Sequence, residues 1–145
     1  MAVTAIKFQD FIEQLGLGVH NLNTNTINLM LSNVAPVNTN TIKANITEIA
    51  TGGGYAGPID TQNTWAESSG TGTLSGTKIT VTATAGGIAT FRYVVLYNDT
   101  AASPADALVI AWDLGVAVTL AEGEFVEFKF NNSDTTGTIL TMAWT

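Results

Sequence analysis

Residues 78–84 read Lys-Ile-Thr-Val-Thr-Ala-Thr, and no other stretch limits the fold as tightly. Successive side chains of an extended chain point to opposite faces, so Ile79, Val81 and Ala83 share one side and Thr80, Thr82 and Thr84 the other. Alternation of this kind predicts a strand with one buried face and one hydroxyl-bearing face. Gly86-Gly87 then turns the chain, and residues 91–97, FRYVVLY, follow. Apart from Arg92 that run is apolar at every position, which predicts a central strand covered on both sides. Residues 107–112 read the same way. Residues 125–130 set Phe128 and Phe130 against Glu127 and Lys129, residues 131–134 supply turn formers, and residues 139–144 predict a closing strand. Several short strands at this spacing predict an all-β chain, a β-sandwich or jelly-roll-like single domain.

The first segment has a different period. Phe8, Phe11, Ile12 and Leu15 fall at i, i+3, i+4 and i+7, which predicts a short helix with those four side chains on one face. Gly16 and Gly18 stop it. An extended run follows, residues 26–31, with Ile27, Leu29 and Leu31 on one side. The chain is accordingly divided into an N-terminal helix or arm segment, 1–22, and a β-sandwich domain, 23–145. The segment is either an ordinary packed element or an arm that reaches onto a neighbouring chain, since terminal segments are free to swap. Residues 42–49 predict a short strand or turn.

With 145 residues and no cysteine, the fold rests on packing alone, without disulfides or thiolate metal sites. Charged residues make up only 12% of the chain, against a usual quarter. The five basic residues, Lys7, Lys43, Lys78, Arg92 and Lys129, are scattered among twelve acidic ones, and the net charge of −7 would repel a phosphate backbone. Nucleic acid is therefore excluded as an expected partner. No apolar run approaches the roughly eighteen residues of a membrane helix. Lys7 and Asp10 interrupt the place where a signal peptide would keep its apolar core, which predicts synthesis in the cytoplasm.

The stretch TGGGYAGP, residues 51–58, satisfies the spacing G-x-G-x-x-G through Gly52, Gly54 and Gly57. A dinucleotide loop of that pattern needs a helix starting at its last glycine, so that helical N–H groups face the pyrophosphate. Pro58 follows instead, and residues 59–76 are rich in Thr, Ser, Asn and Gly with no helical period. The glycines are expected to supply positive φ around an exposed or interfacial Tyr55. His20 is the only histidine, so no His-based metal cluster can assemble, and no G-x-S-x-G elbow supports a nucleophile. Asn98, Asp99, Asp106 and Asp113 could offer oxygen ligands to calcium, but aspartates at strand ends more often bond their own turns. Glu122, Glu124 and Glu127 are better explained as solvated strand positions than as a hydrolytic pair. No catalytic residue, metal ligand or cofactor is assigned. Trp112 and Trp144 sit in apolar runs and are expected in the core. Trp65 and Tyr55 sit in polar loops and, with Phe8 and Phe11 of the N-terminal segment, are the candidate interface residues.

The succession of the helix-like segment, TINLMLSNVAP, ITEIATGGGYAGP, FRYVVLYNDT and ALVIAWDLGVAVTLAEGEF resembles small tailed-bacteriophage virion proteins of the capsid decoration, or cement, type. The resemblance covers nearly the whole chain and consists of strand and turn patterns. It implies a non-enzymatic structural protein located on the capsid surface of a virion, with a β-sandwich body and no cofactor. The implied partners are the major capsid protein and other copies of itself, as a homotrimer. The alternative is a carbohydrate- or receptor-binding module of a phage tail or fibre, with Trp65 and Tyr55 as its platform.

Overall fold

The computed structural model describes residues 3–144. Met1, Ala2 and Thr145, at the outer bounds of the expected arm and domain, lie outside the described residues. The described chain is dominated by antiparallel sheets and carries one short α-helix, as a small β-sandwich-like domain. In chain order the elements are β1 (Thr4–Lys7), α1 (Asp10–Gly16), β2 (Ile27–Ser32), β3 (Ile59–Asp60), β4 (Thr64–Ser68), β5 (Thr71–Thr77), β6 (Ile79–Thr82), β7 (Ile88–Ala102), β8 (Ala105–Leu120), β9 (Phe125–Phe128) and β10 (Thr136–Ala143). They form a five-stranded sheet of order β1-β8-β7-β2-β3, a three-stranded sheet β10-β5-β4 and a two-stranded sheet β6-β9.

The two longest strands, β7 and β8, pair as a hairpin that runs through the centre of the main sheet. The expectation for residues 91–97 holds in detail. Val94 and Leu96 join Leu29 and Leu31 of β2 in the main core, between the sheets. Val95 and Tyr97 point the other way, into a second core with Met30, Ile46, Leu108 and Ala111. A strand apolar on both faces is thus buried on both faces, and the second face is covered by the segment around a 3₁₀ turn at Lys43–Asn45. In β8 a bulge places both Val109 and Ile110 opposite Leu96, since Leu96 pairs with Ile110 and Tyr97 with Leu108. That extra residue explains why two consecutive side chains, Val109 and Ile110, both reach the main core. The alternation of residues 79–84 is also present, with Ile79, Val81 and Ala83 buried and the threonines exposed.

The N-terminal segment departs from its expected form. Its helix starts at Asp10, so Phe8 precedes it, and Ile12 is 66% exposed. Phe11 packs in the main core while Phe8 packs in the second, so the four-residue apolar face is divided between two cores. Of the two readings of this segment, the packed element is the one seen for residues 4–7, which form an edge of the main sheet of their own chain with Ala5 opposite Trp112 and Lys7 opposite Ile110. The physical reason lies in β8, whose outer row of N–H and C=O groups would otherwise be unpaired beside an apolar run.

Within residues 59–76, read as polar chain without helical period, lies nearly all of the hairpin β4-β5, which ends at Thr77. Its turn is Ser69-Gly70, with φ of 51° and 82°, the positive pair that fits the twist of a two-residue hairpin. Only Gly72, Leu74 and Gly76 of β5 are buried. The glycines make room for large neighbours: a Cβ on Gly76 would lie 2.8 Å from Ile139 Cδ1 and 2.9 Å from Phe130 Cε2.

Candidate functional site

The glycine loop is filled by the chain's own backbone. Gly52 and Tyr55 exchange backbone hydrogen bonds of 2.8 and 3.0 Å, closing a tight turn with φ of 133°, 55° and 102° at Gly52, Gly53 and Gly54. A Cβ on Gly53 would overlap the carbonyl oxygen of Gly87, and one on Gly54 the carbonyl oxygen of Thr82. Thr84 N–H donates to the Gly53 carbonyl at 2.8 Å. The glycines therefore allow close docking onto the turn that follows β6, which is the space a phosphate would need.

Tyr55 is 1% exposed, which corrects its placement on a contact surface. Its hydroxyl donates to Glu48 Oε1 at 2.7 Å and accepts the Leu31 N–H at 3.2 Å. Burial, with the Glu48 carboxylate beside it, pushes the phenol well above its ordinary pKa. Glu48 also meets Lys43 at 3.4 Å, and the Lys43 ammonium lies 4.9 Å from the centre of the Tyr97 ring. The tyrosine is a polar bolt between the glycine loop and β2. Phe8 and Phe11, at 3% and 7% exposure, are likewise core residues of their own chain, so neither offers a free surface.

Trp65 alone of the four candidates keeps an accessible side. Its indole packs over Gly72, where a Cβ would come within 2.6 Å of Cη2. Trp65 pairs with Leu74 and Leu74 with Leu140, and one row further out Glu67 pairs with Gly72 and Gly72 with Met142. The inner row packs on the main core, and the outer row continues the same face towards the end of the sheet. There Trp65, Gly72, Met142 and Trp144 line a groove of about 500 Å³. Trp144 is 96% exposed, which corrects its expected place in the core: it follows the last paired residue of edge strand β10, beyond the last row of core side chains. Trp112 is half-buried, tilted against Phe130 with ring centres 6.2 Å apart, and borders a second groove of about 420 Å³ with Leu114, Asn131 and Asn132.

The acidic residues are dispersed. Asp113 accepts a two-pronged bond from Arg92 at 2.7 and 2.9 Å, which together with the Gly115 N–H holds its carboxyl below the usual range. Glu127 sits between Lys78 and Lys129 at 2.6 and 3.2 Å, and Glu124 accepts the Ala121 N–H. Asp99 lies 3.3 Å from the Tyr97 hydroxyl, and Asn98 is fully buried among partners of its own chain. Among the described residues no three His, Cys, Asp or Glu side chains converge as metal ligands. His20 is buried against Phe11.

Comparison of the chain with protein-family models, with curated proteins and with solved structures gave no match. The open tryptophan groove was only half legible from the sequence. Trp65 stood out by its polar surroundings, whereas Gly72 and Met142 carry no signal until β4, β5 and β10 are aligned.

Proposed function

We propose that this chain is a non-enzymatic structural protein of a tailed-phage virion that binds and stabilises the outer surface of the capsid. The observation that supports it best is the outer end of the inward face of the three-stranded sheet. Half-buried Trp65 and Met142 lead outward from the main core to the exposed Trp144. Large side chains left this way are suited to a protein contact. The sparse charge of the chain fits the same use, because few ions must be desolvated on docking. The partners are the major capsid protein and further copies of this chain, arranged as a trimer about a local threefold position. A lattice multiplies weak contacts, so a modest face on each subunit suffices. A protein that binds only the expanded shell stabilises that shell by linkage. Mass spectrometry and electron microscopy of virions with and without the protein test the proposal. Added density on the outer capsid supports it, and density confined to the tail rejects it.

The second reading, a carbohydrate- or receptor-binding module of a tail or fibre, is favoured by the same two indoles. Trp65 and Trp144 border one groove and could stack on a sugar ring, although Tyr55 does not share the platform. Glycan-array binding lost in Trp144→Ser would support this reading over capsid decoration.

A further inference from the structure

His20 joins the segment after α1 to the main sheet through a buried contact with Asn98. The Asn98 side chain is 0% exposed, and its Oδ1 accepts the N–H groups of Thr100 and Ala101 at 3.1 and 3.2 Å. Two backbone donors fix that oxygen, so the amide nitrogen must face the other way. There it lies 3.2 Å from the Val19 carbonyl, 2.8 Å from Asn25 Oδ1 and 3.1 Å from His20 Nδ1. The amide has two hydrogens for these three acceptors, one directed at Asn25 and the other shared between Val19 and Nδ1; an N–H at Nδ1 would face this N–H₂ with no acceptor, so we infer the neutral ring with its proton on Nε2. Nε2 has no hydrogen-bond partner, and the ring is 4% exposed with its centre 5.0 Å from that of Phe11.

We propose that His20 and Asn98 form an acid-operated latch, which holds residues 19–25 against the end of β7 near neutral pH and releases them when the ring is protonated. Protonation sets an N–H of the ring against the N–H₂ of Asn98 and places a charge in a buried site. Asn98 cannot turn to accept it without abandoning Thr100 and Ala101. The groups facing the ring come from four parts of the chain, and Asp10 and the Leu108 backbone favour the charged form against the burial that opposes it. From α1 come Phe11 and the Asp10 carboxylate, the one charged group whose field acts on the ring; from the following loop comes Asn25. From β7 comes Asn98, and from β8 the Leu108 backbone, close to the ring but outside hydrogen-bond geometry with it.

Burial outweighs the attraction of Asp10 and holds the folded-state pKa below the usual 6.5. The folded chain then binds fewer protons than the released one in that window. The latch is therefore fully present above about pH 6.5 and is lost as pH falls towards the folded-state pKa, the released population growing about tenfold per pH unit on the way. No second histidine shares the window, and the shifted carboxylates of Asp113, Glu127 and Asp134 all move downward, away from it.

The test uses the full chain. Long-range proton–nitrogen NMR of the His20 ring should show the Nε2–H form at about pH 8 and a midpoint below 6.5. Amide exchange, corrected for intrinsic rates, should show residues 19–25 losing protection between about pH 7.5 and pH 5 while residues 94–97 keep theirs. In His20→Gln, whose side-chain oxygen can accept the same Asn98 amide without titrating, that loss should vanish. A ring protonated on Nδ1, a midpoint at or above 6.5, or an equal loss of protection in His20→Gln would overturn the latch. Should the variant not fold, the ring titration of the native chain decides.

Discussion

The indole of Trp65 occupies the space that a side chain on Gly72 would take, one row diagonally across the β4-β5 hairpin. Glycine normally weakens a strand, and here the aromatic ring of the neighbour covers the exposed backbone in its place. Gly72→Val should expel the ring, costing about 1–3 kcal/mol as an overpacking defect. Chemical denaturation would read the loss, and tryptophan emission of the folded variant should shift to the red. Unchanged stability with unchanged emission would mean that the ring does not depend on Gly72.

Val95 is fully buried in the second core, on the face of the sheet opposite to Val94 and Leu96. Val95→Asp places a carboxylate there without a partner, at a cost of several kcal/mol, comparable to the whole stability of a domain this size. The variant should be unfolded or insoluble by circular dichroism and sedimentation. A soluble variant with unaltered melting would show that the second core contributes little.

These two positions mark how far the sequence carries. The strands around residues 79–97 were legible because each inward position bears its own apolar side chain, and β7 does so on both faces. The hairpin β4-β5 was not, because the inward positions of β5 are Gly72, Leu74 and Gly76, and their space is filled by Trp65, Phe130 and Ile139 from other elements. A periodicity read from one segment cannot register side chains lent by another. Phe8 and Phe11 failed as interface candidates for a related reason. Helical spacing put them on one face, but the helix begins after Phe8, and each residue serves a different core. The tryptophan groove depends on the pairing of the β4-β5 hairpin with β10, far away in sequence, so the sequence offered Trp65 without its surroundings.

Tyr55→Phe should cost about 1–3 kcal/mol, since the Leu31 N–H and the Glu48 carboxylate both lose a buried partner at once. Thermal melting reads this directly. The same preparation of the native chain should give no saturable heat with ATP or NAD, because the backbone of Thr82 and Gly87 already fills the glycine loop. Micromolar nucleotide binding, abolished by Gly54→Val in a folded variant, would contradict that assignment.

Removing residues 1–22 should unfold the chain rather than free an arm. The truncation strips β1 from the edge of β8 and takes Phe8 from one core and Phe11 from the other. Two phenylalanines lost from packed sites cost about 3–5 kcal/mol each, which approaches or exceeds the whole stability of such a domain. A cooperative melt of the truncated protein, measured by calorimetry, would show that the remaining strands are self-sufficient.

Trp144 separates the proposed assembly role from the stability of the chain. At 96% exposure it can be changed to serine with an expected stability effect within about 0.5 kcal/mol, as for other surface substitutions. If the groove it borders with Trp65 and Met142 is the contact face, Trp144→Ser should lower occupancy on the capsid while leaving the melting temperature in place. Analytical ultracentrifugation of the native protein should give a trimer, and electron microscopy of virions reconstituted with native and variant chains should show density lost only with the variant. Equal occupancy by both chains would move the contact to another face of the molecule. A stable monomer found at the tail tip would replace capsid decoration with receptor binding, because the same exposed indole would then serve a ligand rather than a neighbouring subunit.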